Sequence, residues 1–285
     1  MAPWLAKLWP SAVVKNDPLA GTLLDGRYTP IPLAGWKLIP PIERQLLAFR
    51  TRAQLSLTAD ARLGVIVPVR DREHQIAQLI PRLRFLLDEQ GIRYRILVSE
   101  QSQGRLWNKG VVINAGFRAV AADCDYVCIH DVDAIPVDAD YRCPSEPLRL
   151  VTQLVGSRHG PSREPRYFGG AISVRCDQFV AANGYSNEYW GWGKEDDDFL
   201  FRLWFCGRIC FSDERGTFED LPNPADQQLE IKPLRKPQTL RANRKRRSNL
   251  TRGLTDFRQD GLSSLAYPQT EPRLVDGYER ILVTV

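Results

Sequence analysis

Cysteine is sparse in this sequence, and no apolar run approaches the length of a membrane span. Six cysteines in 285 residues are too few and too scattered for a disulfide scaffold, and none shows the Cys-x-x-Cys spacing of a zinc knuckle. Cys124 and Cys128, like Cys206 and Cys210, lie four apart but in or beside predicted strands, so buried free thiols are expected. The first fifteen residues carry Trp4, Leu5, Leu8 and Trp9 but are broken by Pro3 and Pro10, which makes them too short for a signal peptide or a spanning helix. A soluble, cytoplasmic chain is expected, with peripheral membrane contact through that tryptophan-rich end. No internal repeat occurs.

Acid is missing from one stretch altogether. Between 232 and 247 stand Lys232, Arg235, Lys236, Arg241, Arg244, Lys245, Arg246 and Arg247 without a single carboxylate, so the rest of the chain is net acidic although the whole carries +5. Such a run is either a solvated face or a seat for a nucleotide, a phospholipid or an acidic glycan. Nucleic acid is not expected, because no aromatic residues interleave the cations to stack on bases.

Residues 1–60, rich in proline at first and helix-like from Ile42 to Leu55, are read as a wrapping arm. From there to Val285 the pattern is that of one α/β domain. Leu63–Val69 is a buried strand, and Ile76, Leu79, Ile80, Leu83, Leu86 and Leu87 mark one helix face. Arg95–Val98 is the next strand, Val111–Ala122 the next helix, and Tyr126–Ile129 a third strand. This order predicts a mostly parallel central sheet with helices on both faces, whose ligands bind at the carboxyl ends of its strands. We divide the domain into a first half, 61–143, and a second half, 144–285. The latter holds a strand over Tyr167–Val174, a helix over Cys176–Asn183, a mobile loop at about 216–247 and a last strand from Tyr278.

The stretch Tyr189-Trp-Gly-Trp-Gly-Lys-Glu-Asp-Asp-Asp198 combines two indole rings, two glycines and four consecutive carboxylates just before an apolar run. A helix cap on a glycine hinge would explain one or two of the acids but neither tryptophan. Flat rings stack on sugar faces, glycines let backbone approach a ligand, and a carboxylate beside them can take a proton from a hydroxyl. The third strand runs out at Asp131-Val-Asp133, and an Asp-x-Asp at such a place can bring a divalent cation to a diphosphate. A plain strand-ending turn would read the same way. Arg70 and Arg72 close the first strand with cations able to hold phosphate, and Trp107-Asn108-Lys109 opens the second helix with a further ring and cation.

Val67-Pro-Val-Arg-Asp-Arg72, Trp107-Asn-Lys-Gly-Val-Val-Ile-Asn-Ala-Gly-Phe117, His130-Asp-Val-Asp-Ala-Ile-Pro136, Tyr167-Phe-Gly-Gly170 and Tyr189-Trp-Gly-Trp-Gly-Lys-Glu-Asp-Asp197 follow one another as in the β-1,4-galactosyltransferase family, which the chain resembles over about 63–285. The resemblance implies a GT-A nucleotide-sugar-binding fold and an inverting, manganese-assisted transfer of galactose from UDP-galactose to a glycan or glycolipid acceptor. It implies Asp196 as general base and Glu195 beside the acceptor. It implies donor contacts from Pro68, Val69, Arg70, Arg72, Trp107, Asn108, Lys109, Asp131, Val132, Tyr167, Gly170, Trp192 and Gly193. Acceptor contacts fall to Trp192, Glu195 and Asp197, and metal ligands to Asp133 and Asp220.

Three departures qualify it. No histidine follows His159, so Asp220, in Gly216-Thr-Phe-Glu-Asp-Leu-Pro-Asn-Pro224, falls where the family places a ligand histidine. An all-oxygen site of this kind should accept magnesium nearly as well as manganese. Val69 stands where the family has phenylalanine, and the membrane anchor of the animal members has no counterpart in the sequence. UDP-N-acetylgalactosamine or another UDP-sugar as donor, or a sugar-binding member without catalysis, are the competing expectations.

Overall fold

The computed structural model describes residues 50–51, 57–58, 60–155, 168–208, 210–213, 215–221 and 235–285. Its strands are β1 (Arg50–Thr51), β2 (Leu57–Thr58), β3 (Arg62–Val69), β4 (Arg93–Gln101), β5 (Tyr126–His130), β6 (Ala134–Asp138), β7 (Cys143–Pro144), β8 (Leu148–Arg149), β9 (Gln153–Val155), β10 (Ala171–Arg175), β11 (Phe211–Ser212), β12 (Thr217–Asp220), β13 (Arg273–Val275) and β14 (Tyr278–Val283). The helices are α1 (Glu73–Glu89), α2 (Lys109–Val120), α3 (Cys176–Ala181), α4 (Glu195–Phe205) and α5 (Arg235–Thr251).

The main sheet has the order β1-β11-β8-β10-β5-β3-β4-β14-β13. Its centre, β5-β3-β4-β14, is parallel throughout, while β10 runs antiparallel between β5 and β8. Every residue of Leu63–Val69 is buried, as a strand covered on both faces requires. Alternate side chains go to opposite sides. Leu63, Val65 and Val67 join Ile76, Leu79, Leu83 and Leu87 of α1 in one core. Ile66 joins Val111, Phe117 and Val120 of α2 with Phe179 and Phe199 of α3 and α4 in the other. A Cβ on Gly116 would come within 2.6 Å of the Ile66 Cγ2, so glycine is what lets α2 lie this close to the sheet.

A second sheet, β6-β12-β9, sits beyond the carboxyl end of β5. Among the described residues no helix is long and apolar enough to cross a membrane. All six cysteines are free, and five of them are buried, as their spacing led us to expect.

Three expectations are corrected. Arg50–Thr51, inside the span read as helix-like, form a strand parallel to Phe211–Ser212, because the edge of the sheet offers unpaired backbone groups that outweigh local propensity; the rest of 42–55 lies outside the described residues. The strand read from Tyr167 begins at Ala171. Where a loop is expected over 216–247, Thr217–Asp220 pair with β6 and β9 and Arg235–Thr251 are helical, while 222–234 lie outside the described residues. That helix has almost no apolar periodicity to reveal it, yet Arg, Lys, Gln, Leu and Ala are strong helix formers.

Helix α4 is fixed by a buried ion pair. Arg202, 1% exposed, donates from Nε to Asp198 Oδ1 at 2.5 Å and from Nη1 to the Asp260 carbonyl at 2.6 Å, while the Tyr189 hydroxyl donates to Asp198 Oδ2 at 2.9 Å. Replacing only the cation leaves a buried charge without its partner. Arg202→Met is therefore expected to lower unfolding free energy by about 3–5 kcal/mol, measured by urea denaturation, and a loss below about 1 kcal/mol would mean that the pair behaves as a solvent-screened one.

Candidate active site

The site forms where β3, β4 and β5 end and α2 and α4 begin. His130, the last residue of β5, is fully buried, and burial pushes its pKa down to about 4. Its Nδ1 lies 3.0 Å from the Asp131 carbonyl oxygen, which only a protonated Nδ1 can bond, so Nε2 accepts from the Tyr141 hydroxyl at 3.1 Å. The Asp131 amide donates to the Gly170 carbonyl at 2.6 Å. A neutral histidine and a glycine thus hold the backbone of Asp131 from two sides.

Helix α2 is aimed by its first residues. Gln101, at the end of β4, accepts from the Asn108 amide at 2.8 Å and donates to the Leu106 carbonyl at 2.9 Å. Asn108 caps the helix, its Oδ1 accepting from the Val111 amide at 3.1 Å, and its Nδ2 donates to the Asn187 carbonyl at 2.7 Å. A Cβ on Gly110 would sit 2.1 Å from the Ser186 carbonyl oxygen, so the helix start and the 184–187 segment are in direct backbone contact. Lys109 is thereby buried in a cluster of acids. Its Nζ is 2.8 Å from Asp131 Oδ1, 3.0 Å from Asp196 Oδ2 and 3.8 Å from Glu195 Oε1. The buried Tyr185 hydroxyl donates to Asp196 Oδ1 at 3.2 Å.

The charge states follow from this crowding. Burial pushes the Asp196 carboxyl up to about 8, with Lys109 pulling against it and Glu195 and Asp131 adding to it. Burial also raises Glu195. The three carboxylates together hold Lys109 well above the usual ammonium range, against the effect of its own burial. One ammonium therefore serves three acids. Asp196 is left within reach of neutral pH, where a carboxylate can both accept and release a proton.

Helix periodicity separates the four acids of the first turn of α4. Glu195 and Asp196 face Lys109, and Asp198 turns inward to Arg202. Asp197, expected at the acceptor, is paired with Lys194 at 2.7 Å and Arg247 at 3.5 Å. The turn before α4 is left-handed at Gly191, Gly193 and Lys194, with φ of 78°, 96° and 81°. This contorted segment leaves Trp192 61% exposed, and Asn243 of α5 secures it by donating to the Trp190, Trp192 and Gly193 carbonyls at 2.9–3.4 Å.

The remaining expected residues are distributed along the same rim. Pro68 and Val69 end β3 and are buried. Arg70 donates to the Arg105 carbonyl at 2.7 Å and lies over the Trp107 ring, 5.8 Å from its centroid. Arg72 precedes α1. Val132 is buried between the two aspartates. The pairing of β6 with β12 sets Asp220 opposite Ala134, and the Leu221 amide donates to the Asp133 carbonyl at 2.8 Å. Burial pushes Asp133 up to about 6, and the charges of Asp131 and Asp220 add to the rise. Tyr167 lies outside the described residues. Among the described residues no three His, Cys, Asp or Glu side chains converge as a ready-made metal cage.

Sequence reasoning assigned no role to His130, Tyr185, Gln101 or Asn243. His130 and Gln101 are buried polar residues at strand ends, and Tyr185 is buried in the irregular stretch between α3 and α4, a hint visible only once the elements are placed. Asn243, inside a basic run, gave no signal at all.

Two family models match consecutive parts of the chain: the N-terminal region of glycosyl transferase group 7 over residues 53–144, and the N-terminal domain of galactosyltransferase over residues 154–215. β-1,4-Galactosyltransferase 7 of Drosophila melanogaster is 35% identical over 151 residues, covering 50% of this chain and 44% of that protein. β-1,4-Galactosyltransferase 3 of Cricetulus griseus is 30% identical over 233 residues, covering 80% and 56%. The chain spans about half the length of these relatives. The solved catalytic domain of the Drosophila galactosyltransferase 7, in complex with xylobiose, superposes with a TM-score of 0.62 at 26% identity, over 79% of this chain and 93% of that one. A mutant of that enzyme in complex with manganese, UDP-Gal and xylobiose gives 0.63 at 25%. With both family models in order on a sheet that superposes on the Drosophila catalytic domain, the chain belongs to the β-1,4-galactosyltransferase family, glycosyltransferase group 7, and has its GT-A fold.

Proposed function

We propose that this protein transfers galactose from UDP-galactose to a hydroxyl of a glycan or glycolipid acceptor, with inversion and with Asp196 as the base. The observation that carries the reading is the meeting of Asp131, Glu195 and Asp196 on the buried Lys109 ammonium, which joins the strand-end side of the cleft to the tryptophan side. In one displacement the acceptor oxygen bonds to the anomeric carbon, the bond from that carbon to the diphosphate oxygen breaks, and the acceptor proton passes to Asp196. Glu195 orients the acceptor, and the exposed Trp192 ring offers a face to the sugars. Arg70, held over Trp107 at the end of β3, and Arg72 receive the phosphates.

The residues at the end of β5 fit a divalent cation. Asp133 is a half-buried carboxylate that its partial burial and then its acidic neighbours drive toward protonation, so a cation beside it and Asp220 would relieve a penalty already present. Asp133 and Asp220 would hold manganese or magnesium by oxygen alone, and the bound ion would offset the charge of the leaving diphosphate. A panel of UDP-sugars with candidate acceptors, read as UDP release, tests the donor: UDP-galactose is expected to lead, and a clear preference for UDP-N-acetylgalactosamine would overturn the donor assignment.

Asp196→Asn is expected to keep UDP binding and to lower kcat by at least ~10²-fold. Near-normal turnover would remove Asp196 from the chemistry. The wild-type rate should climb with pH through about 8, since Asp196 accepts a proton only when ionised. Lys109→Met takes away the charge that favours the ionised form, so its rising limb should lie at higher pH than that of the wild type.

Chelation with EDTA is expected to abolish turnover, and magnesium should restore it nearly as well as manganese because no nitrogen ligand selects the transition metal. Asp220→Ala should raise the concentration of cation needed for half-maximal rate. Turnover that persists undiminished in EDTA would sink the metal site.

A further inference from the structure

Helix α5 presents two unlike sides. Successive helical residues are about 100° apart, so Thr239, Leu240, Asn243, Arg247 and Leu250 share one side, and Arg241, Arg244, Lys245, Ser248 and Arg252 the other. The first side is the attached one. Asn243 binds three carbonyls of the Trp190–Gly193 segment, Arg247 meets Asp197, and Leu250 is buried. On the far side Arg241, Arg244, Lys245 and Arg252 are exposed and make no ion pair among the described residues, although acids of the body do reach this helix at Arg246, paired with Glu188, and at Arg247. The helix contains no carboxylate. With no acid paired to them among the described residues, these four exposed cations make a positive surface that attracts an anionic partner.

We infer that this outward row of α5 docks the protein on an anionic phospholipid surface, so that the tryptophan segment fixed to its inner side is held next to sugars carried by that surface. From Arg241 to Arg252, the residue after the helix ends, these cations span roughly 16 Å at helical rise and stand on the convex, exposed side of the helix. That shape suits a plane of headgroups better than a threaded chain. The outward side has no apolar stripe, so the helix lies on the headgroups rather than among the acyl chains, and its hold is electrostatic. The glycolipid nature of the acceptor rests on the transfer reading above; the lipid binding does not.

The test is co-sedimentation of the full chain with phosphatidylcholine vesicles, with and without phosphatidylglycerol. Binding is expected only to the phosphatidylglycerol vesicles and should fade as salt rises. At about five-fold per cation, the combined substitution Arg241→Gln, Arg244→Gln, Lys245→Gln and Arg252→Gln should weaken it by at least ~10²-fold while leaving UDP release with a soluble acceptor unchanged. Arg241→Lys, Arg244→Lys and Arg252→Lys together keep the charge and should still bind, which separates lost charge from a damaged helix. Equal binding to both vesicle types, no binding to either, or binding to heparin with none to phosphatidylglycerol would overturn the inference, the last in favour of an acidic polymer. A protein that binds these vesicles yet turns over no UDP-sugar would refute the transfer reading alone.

Discussion

The buried ammonium of Lys109 is the interaction on which the centre of this molecule depends. Asp131 comes from the end of β5, Glu195 and Asp196 from the start of α4, and the two helix acids are largely withdrawn from water while Asp131 is partly so. Like charges gathered in a poorly solvated space repel strongly, and without a cation among them such acids protonate or the elements separate. Lys109 can supply that cation only because α2 begins where it does. Its start is set by Gln101 and Asn108 and by the absence of a side chain at Gly110, all features of backbone placement rather than of charge. The electrostatics of the cleft is thus inherited from helix capping and close packing.

The same logic explains how four adjacent acids come to do different things. A helix turn sends neighbouring side chains in different directions, so Asp198 points at Arg202 and locks α4, Asp197 points outward to Lys194 and Arg247, and Glu195 and Asp196 point at Lys109. Of these, Asp196 and Glu195 have burial without full neutralisation, and Asp196 in particular keeps a pKa near neutrality. Asp198 is buried more deeply still but is met by a guanidinium and a tyrosine hydroxyl, which commits it to structure.

Much of this was legible in the sequence. The central strands could be read because strands covered on both faces are continuous apolar runs, and the α1 face because Ile76, Leu79, Ile80 and Leu83 recur at helical spacing. Asp131, Asp133, Glu195 and Asp196 could be singled out by type and position. What could not be read is convergence. Nothing in the sequence says that Lys109 lies between Asp131 and Asp196, which are 65 positions apart, because that depends on the order of strands in the sheet. Helix α5 escaped notice for a different reason: its attachment runs through Asn243 to backbone carbonyls, and a helix held by polar contacts leaves no hydrophobic pattern. The strand at Arg50–Thr51 was hidden because its partner, β11, is remote in the chain.

The sign of the charge in the cleft bears on how the proposed donor could enter it. Among the described residues Asp131, Asp133, Asp220, Glu195 and Asp196 set five carboxyl groups, some of them raised toward protonation, against the ammonium of Lys109, and a diphosphate is itself an anion. Left as it stands, this arrangement would repel the donor it is proposed to use. The arginines offset part of the repulsion, since Arg70 and Arg72 stand at the end of β3, on the opposite side of β5 from β10. The rest falls at the end of β5, where Asp133 is raised toward protonation by burial and by Asp131 and Asp220 together. A proton on Asp133 would relieve that strain weakly and a divalent cation strongly, so donor and cation should enter this site with mutual assistance, each binding more tightly when the other is present. Substituting a neutral residue for one of these acids then has two opposed effects: it removes a ligand for the ion and it lowers the repulsion that makes the ion necessary.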